Sequence, residues 1–195
     1  TELCVTLLLS LPPADRLKLI LVDKFTALHH AASLGYTETV SGILNCLTAE
    51  QQLELLFAQN SYGDTALHYA AQAGRTETLK TMLDNLTPEQ QLQLLSILDN
   101  AGGQTALHDA ARWGRTEAVK TLLANLTPDQ QLKLLLTENN TGYTTLHKAA
   151  REGHTEIVKT LLDILTHEQQ LKLLFVQNKD GTTALHRAAR EEPTD

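Results

Sequence analysis

The sequence is poor in aromatics, in cysteine and in clustered basic charge. Aromatic side chains make up 4% of its 195 residues, so a core built around large rings is excluded and Leu and Ala must fill it. The two cysteines, Cys4 and Cys46, are too few for a disulfide-stapled secreted scaffold. Both are expected to be unpaired thiols in a reducing compartment, and the expected location is the cytoplasm. Lys and Arg total 16 against 23 acidic residues, for a net charge of -7, and they occur singly. Without a basic patch, no nucleic-acid partner is expected. No apolar run approaches the roughly 20 residues that span a bilayer. Leu7, Leu8 and Leu9 lack a basic segment before them and precede Pro12 and Pro13, so no signal peptide is read and no membrane contact is expected.

Motifs of chemistry are missing as well. There is no Gly-x-Ser-x-Gly elbow, no Walker loop and no dinucleotide glycine pattern. Gly102-Gly103 reads as a turn, because no Lys follows it to hold a phosphate. No catalytic residue is assigned, no cofactor is expected, and the chain is read as non-enzymatic.

What the sequence does contain is a repeat. Thr-Ala-Leu-His stands at Thr26–His29, Thr65–His68, Thr105–His108 and Thr183–His186, with Thr144-Thr145-Leu146-His147 as a variant. Successive histidines fall 39, 40, 39 and 39 residues apart. An Ala-Ala pair, a glycine (Gly35, Gly74, Gly114, Gly153) and a Thr-Glu pair follow in step. A fixed period of this size means stacked supersecondary units sharing one core.

Each unit reads as three helices. The first, as at Thr65–Ala71, has Thr as its N-cap and ends where Gly74 adopts the left-handed conformation without strain. In the second, Leu79, Met82, Leu83 and Leu86 share one face. The third opens with Thr87-Pro88-Glu89-Gln90, in which Thr caps, Pro suits the first position and Gln completes a capping box. It recurs at Thr48, Thr127 and Thr166, whereas Pro12 takes the place of Thr before Arg16–Leu19. Hairpin-like loops close the units at Asn60–Gly63, Asn100–Gly103, Asn139–Gly142 and Asn178–Gly181, where Asn and Gly tolerate positive φ.

The pattern Thr-x-Leu-His-x-Ala-Ala-x-x-Gly, a Leu-Leu helix and an Asx-x-x-Gly turn resembles the ankyrin repeat over essentially the whole chain. It departs from that family at Ala27, Ala66, Ala106, Thr145 and Ala184, where the family carries Pro. It departs again at Asn60, Asn100, Asn139 and Asn178, where the family loop carries Asp. The period exceeds the family's usual length of about 33 residues, and the third helix accounts for the excess. The resemblance implies an all-α, right-handed α-α solenoid. Full repeats are expected at 26–64, 65–104, 105–143 and 144–182, between partial repeats at 1–25 and 183–195. Because both ends cut through a unit, the chain is expected to be a piece of a longer protein. Long-repeat arrays of this flavour resemble those of intracellular bacteria that act on host cells, which would place the chain in a host-cell cytoplasm.

The five histidines of the ladder invite a metal reading. Their period places each in the same slot of a different repeat, about 10 Å apart, whereas zinc needs its ligands within about 2.3 Å of one point. Each ring is therefore expected to bond backbone at the start of its helix, and no metal site is expected. His30 and His154 are read as surface contacts.

In the ankyrin frame, the residue after His, the pair before Gly and the loop tips face the concave inner surface, and these slots vary while the frame repeats. Candidate partner-binding residues are Tyr62, Tyr69, Asp109, Arg112, Trp113, Tyr143, Lys148 and Arg151, a set rich in the Tyr, Trp and Arg of binding hot spots. The chain is expected to be a monomeric module that binds a protein with a partly acidic surface. An alternative is a target-recognition segment of a larger effector or enzyme whose catalytic domain lies elsewhere. A self-associating structural element is a third class.

Overall fold

A computed structural model describes residues 2–21 and 26–190, and every regular element in them is an α-helix. In chain order these are α1 (Glu2–Leu9), α2 (Pro13–Ile20), α3 (Ala27–Leu34), α4 (Thr37–Asn45), α5 (Ala49–Phe57), α6 (Ala66–Ala73), α7 (Thr76–Leu83), α8 (Pro88–Leu95), α9 (Ala106–Arg112), α10 (Thr116–Leu123), α11 (Pro128–Leu135), α12 (Thr145–Arg151), α13 (Thr155–Asp163), α14 (His167–Leu174) and α15 (Ala184–Ala188). Thr1, 22–25 and 191–195, all within the two expected partial repeats, lie outside the described residues. None of the described helices is long and apolar enough to cross a membrane.

Three kinds of helix alternate, and each stacks on its own kind. The first kind packs in the order α3, α6, α9, α12, α15, and the second in the order α1, α4, α7, α10, α13. The third-kind helices α8, α11 and α14 stack similarly. Small side chains explain the tight first row. Ala31, Ala32, Ala70, Ala71, Ala110, Ala111, Ala149 and Ala150 are all buried, so neighbouring backbones approach closely. Leucine fills the space between rows, through Leu67, Leu79, Leu83, Leu94 and Leu95 in one repeat and Leu107, Leu122, Leu123, Leu134 and Leu135 in the next. The two cysteines are free thiols, Cys4 half-buried and Cys46 buried.

The Gln-Gln pair at the start of the third helix has two separate tasks. The first Gln completes the capping box: Thr87 N–H donates to Gln90 Oε1 at 2.9 Å and Gln90 N–H donates to Thr87 Oγ1 at 3.2 Å. The same box forms at Thr48, Thr127 and Thr166. Ahead of α2 it is missing, because Pro12 offers no capping side chain. The second Gln reaches back to the preceding helix. Gln91 Nε2 donates to Leu83 O at 2.9 Å and Leu86 O at 3.3 Å. Gln52, Gln131 and Gln170 do the same to Leu44, Leu123 and Leu162. C-terminal helix carbonyls lack intrahelical donors, so this amide satisfies them and fixes the third helix against the second.

The loops close as hairpins, with Asn60 N–H donating to Asp64 O at 2.8 Å and Asn139 N–H to Tyr143 O at 2.9 Å. Asn does not adopt positive φ in them; glycine alone does. The buried Asn side chain is instead the loop's internal acceptor. Asn60 Oδ1 takes the N–H groups of Tyr62 and Asp64, and Asn139 and Asn178 repeat the pattern. In the 40-residue repeat this role falls to Asp99, which accepts from Gly102 and Gln104 N–H, and not to Asn100 as the sequence spacing implied. The additional residue of that repeat lies inside the loop and shifts its acceptor back by one. Adjacent loops also join edge to edge: Asn100 N–H donates to Tyr62 O at 2.7 Å and Asn140 N–H to Gly102 O at 2.9 Å. This approach demands glycine at position 63, which has φ +80°, and a Cβ there would lie 2.5 Å from Asn100 N.

Two stability predictions follow from these contacts. Gln91→Ala strips donors from one buried and one half-buried carbonyl and is expected to cost about 1–2 kcal/mol in urea unfolding, more than Gln90→Ala, which affects only an exposed cap; the reverse order would refute the clamp. Thr145 is fully buried and its hydroxyl has no hydrogen-bond partner, at a position held by Ala in the other repeats. Thr145→Ala is therefore expected to raise stability by about 1 kcal/mol, and a lower urea midpoint would contradict it.

Candidate functional site

The histidine ladder holds the repeats together and uses both ring nitrogens. Backbone N–H groups of Thr26, Thr65, Thr105 and Thr144 donate to Nδ1 of His29, His68, His108 and His147 at 3.2, 3.1, 3.2 and 3.3 Å. A neutral imidazole that accepts at Nδ1 carries its proton on Nε2. That proton is donated across the repeat boundary: His29 to Asp64 O at 3.0 Å, His68 to Gln104 O at 3.3 Å, His108 to Tyr143 O at 3.0 Å and His147 to Thr182 O at 3.2 Å. The expected backbone bond at the helix start is present, and each ring adds a second bond to the next loop. Burial holds all four rings below their ordinary pKa, His108 at about 4. Among the described residues no cluster of His, Cys, Asp or Glu has the makings of a metal site.

A second ladder runs through the residue after each glycine. Arg75 Nε donates to Ser33 O at 3.2 Å, Arg115 Nε to Gln72 O at 3.0 Å and His154 Nε2 to Arg112 O at 3.0 Å. His154 is thus a repeat-to-repeat tie at the end of the first helix and not merely a surface contact. Its signal in the sequence is its alignment with Arg75 and Arg115.

The variable slots divide by burial. Tyr62, at a loop tip, is 67% exposed, and Trp113 is 47% exposed. Arg112 and Arg151 are exposed. The Arg112 guanidinium lies 5.8 Å from the Trp113 ring centroid, and Arg151 approaches Glu152 at 3.8 Å. Tyr69 and Asp109 are half-buried. Tyr69 accepts a hydrogen bond from Asn60 Nδ2 at 2.9 Å and meets His29 edge-on. Tyr143 and Lys148, read from sequence as a tip and a gripping cation, are both buried. Tyr143 packs beside His147, with Lys148 and Arg187 over its ring.

Electrostatics tie most of these residues into one neighbourhood. Burial pushes the Asp109 carboxyl up to about 7; Asp99 and Asp64 push the same way, while Arg112 and Lys148 oppose them. Burial also holds the Lys148 ammonium below its usual pKa, helped by Arg112 and Arg151 and opposed by Asp109 and Glu152. Carboxylates from three successive repeats therefore adjoin a group of cations on the C-terminal side. Asp64, Asp99 and Arg187 also belong to this neighbourhood; Asp64 stands in a variable loop-tip slot, and of the three only Asp99 lies outside the slots read from the sequence. Arg187 shares the slot of Asp109 and Lys148, so its signal was present; the two aspartates come together only through loop stacking.

A family model described as ankyrin repeats matches the chain in three copies, over residues 1–93, 59–133 and 127–195. No curated protein matches it.

The shifted groups set opposing pH dependences. A buried His with a folded pKa near 4 binds fewer protons folded than unfolded between pH 4 and about 6.5, so its contribution to stability falls as pH drops through that window. Asp109 has the opposite sign. Its folded pKa of about 7 lies above the unfolded value, so it destabilises the fold increasingly as pH rises from about 4 to 7. Asp109→Asn is expected to raise stability by about 2 kcal/mol at pH 8 and by almost nothing at pH 4, and to steepen the acid loss between pH 8 and 5. Urea melts at those pH values check this; equal increments at pH 8 and 4 would rule it out.

Proposed function

We infer the function of this chain from one premise, that it belongs to the ankyrin-repeat family. Ankyrin repeats are in general protein–protein interaction modules. In our reading this array binds a protein through the face made by its loop tips and the residues around its first helices, and performs no chemistry itself. The observation that carries the reading is Trp113. It is the only tryptophan in the chain and stands half-exposed in the middle repeats, beside Arg112. An exposed Trp next to Arg is the composition of a binding hot spot, and nothing in the repeat frame requires it, since Leu34, Ala73 and Glu152 fill the same slot. Tyr62 and Arg151 extend the exposed surface on either side. The frame itself is held by the histidine and post-glycine ladders, so these side chains are available for contact without loosening the stack. A net charge of -7 favours a protein over nucleic acid, and the local cations favour an acidic patch on that protein.

The test begins with affinity capture, using the array as bait, and proceeds to quantitative binding of the captured protein. Trp113→Ala is expected to weaken that binding by about 2 kcal/mol or more with an unchanged melting temperature. Full affinity in Trp113→Ala, together with loss on altering the exposed third-helix residues Glu89 and Asp129, would place the interface on the opposite side and refute the reading.

A further inference from the structure

Tyr143 is 8% exposed and carries two cations on its ring. Lys148 Nζ lies 5.4 Å from the ring centroid and the Arg187 guanidinium carbon 4.9 Å. Lys148 is itself only 7% exposed, yet among the described residues no carboxylate forms an ion pair with it. Arg187 donates through Nη2 to the exposed carboxylate of Asp180 at 2.8 Å. Its Nε is buried and has no hydrogen-bond partner. A lysine so far withdrawn from water is costly unless a counter-charge accompanies it, and an aromatic face compensates only in part. Arg112 and Arg151 add like charge around Lys148; of the two opposing carboxylates, Asp109 is only partly ionised near neutrality and Glu152 lies against Arg151. The arrangement therefore has a surplus of positive charge, held on the first helices α12 and α15 and backed by an aromatic ring. It does so in a chain whose overall charge of -7 repels anions, so any attraction must come from the local site.

We propose that Lys148 and Arg187, joined through the Tyr143 ring, form an anion subsite that receives an oxyanion-bearing side chain of the protein partner, a carboxylate or a phosphate. The proposal rests on the protein-binding reading above and names the chemistry one part of that surface selects. Charge-assisted hydrogen bonds from the Lys148 ammonium would hold the group, with the Arg187 guanidinium adding positive charge beside the same ring, and arrival of the group would supply the counter-charge that Lys148 lacks.

The test is an NMR titration of the full chain with N-acetyl-glutamate methylamide, its phosphoserine analogue and, as neutral control, its glutamine analogue. The two anions are expected to shift the Lys148 side-chain and Arg187 Nε–H resonances saturably, and the glutamine probe to leave them in place. Lys148→Met, with folding verified by its melting curve, is expected to lose at least about tenfold in affinity. Arg187→Gln is expected to lose severalfold, and the exposed Arg151→Gln less than either. A stronger response to phosphoserine than to glutamate identifies a phosphorylated side chain as the ligand, and comparable responses identify a carboxylate. Equal shifts from the glutamine probe, or unchanged anion binding in Lys148→Met, would overturn the subsite. If no anion binds while capture of the partner still depends on Trp113, the subsite fails and the protein-binding reading stands. If the anions bind at Lys148 while the partner ignores both Trp113 and Lys148, the reading fails and the subsite stands.

Discussion

The structure depends on one doubled interaction, in which a neutral imidazole accepts a backbone proton at the start of its own helix and donates one to the loop of the next repeat. The first bond fixes the ring and its tautomer; the second uses that tautomer to tie repeat to repeat. A repeat array has no distant contacts to stabilise it, so each interface must hold by itself. Four such bonds, from His29, His68, His108 and His147, recur at each described boundary that has a loop to receive them. Their burial also explains why these rings resist protonation, because a charged imidazolium would forgo the hydration it has in water.

Two further sets of bonds act on either side of this axis. Arg75, Arg115 and His154 close the C-terminal ends of the preceding first helices, and the paired glutamines dock the third helix onto the second. In each case a side chain satisfies backbone groups that a short helix leaves without partners. Short helices have many such ends per residue, so an array of helices of five to nine residues needs a regular supply of polar side chains at fixed offsets. The strictness of the period reflects that need. The slots outside these bonds are the ones in which Trp113, Tyr62, Arg112 and Arg151 stand, and they vary from repeat to repeat.

Charge on that face is arranged by stacking. Asp64, Asp99 and Asp109 come from separate repeats, yet the first two shift the titration of the third; Arg112 acts on Lys148 from the repeat before it, and Arg187 reaches the same place from the repeat after it, over the Tyr143 ring. One face thus carries an acidic part and a cationic part, and the cationic part contains the largely buried Lys148.

Much of the fold was legible in the residue order. The period, the N-capping threonines, the capping boxes of the third helix, the helix-ending glycines and the Leu and Ala core depend on neighbours within a turn or two, and a linear pattern records such neighbours directly. The placement of candidate residues around the first helices followed from the same frame. What tertiary structure alone decided were contacts between residues 35 to 43 positions apart: which carbonyl each histidine meets, and that His154 joins the Arg75 and Arg115 series. That Asp99 replaces Asn100 as a loop acceptor is a local matter, three and five residues in span, set by the residue inserted in that loop. Tertiary structure also decided that Tyr143 and Lys148 are buried and that Asp109 titrates near neutrality. Desolvation and Coulomb interaction depend on what the adjacent repeat lays over a side chain, and that identity is set by packing between repeats, which no local pattern encodes.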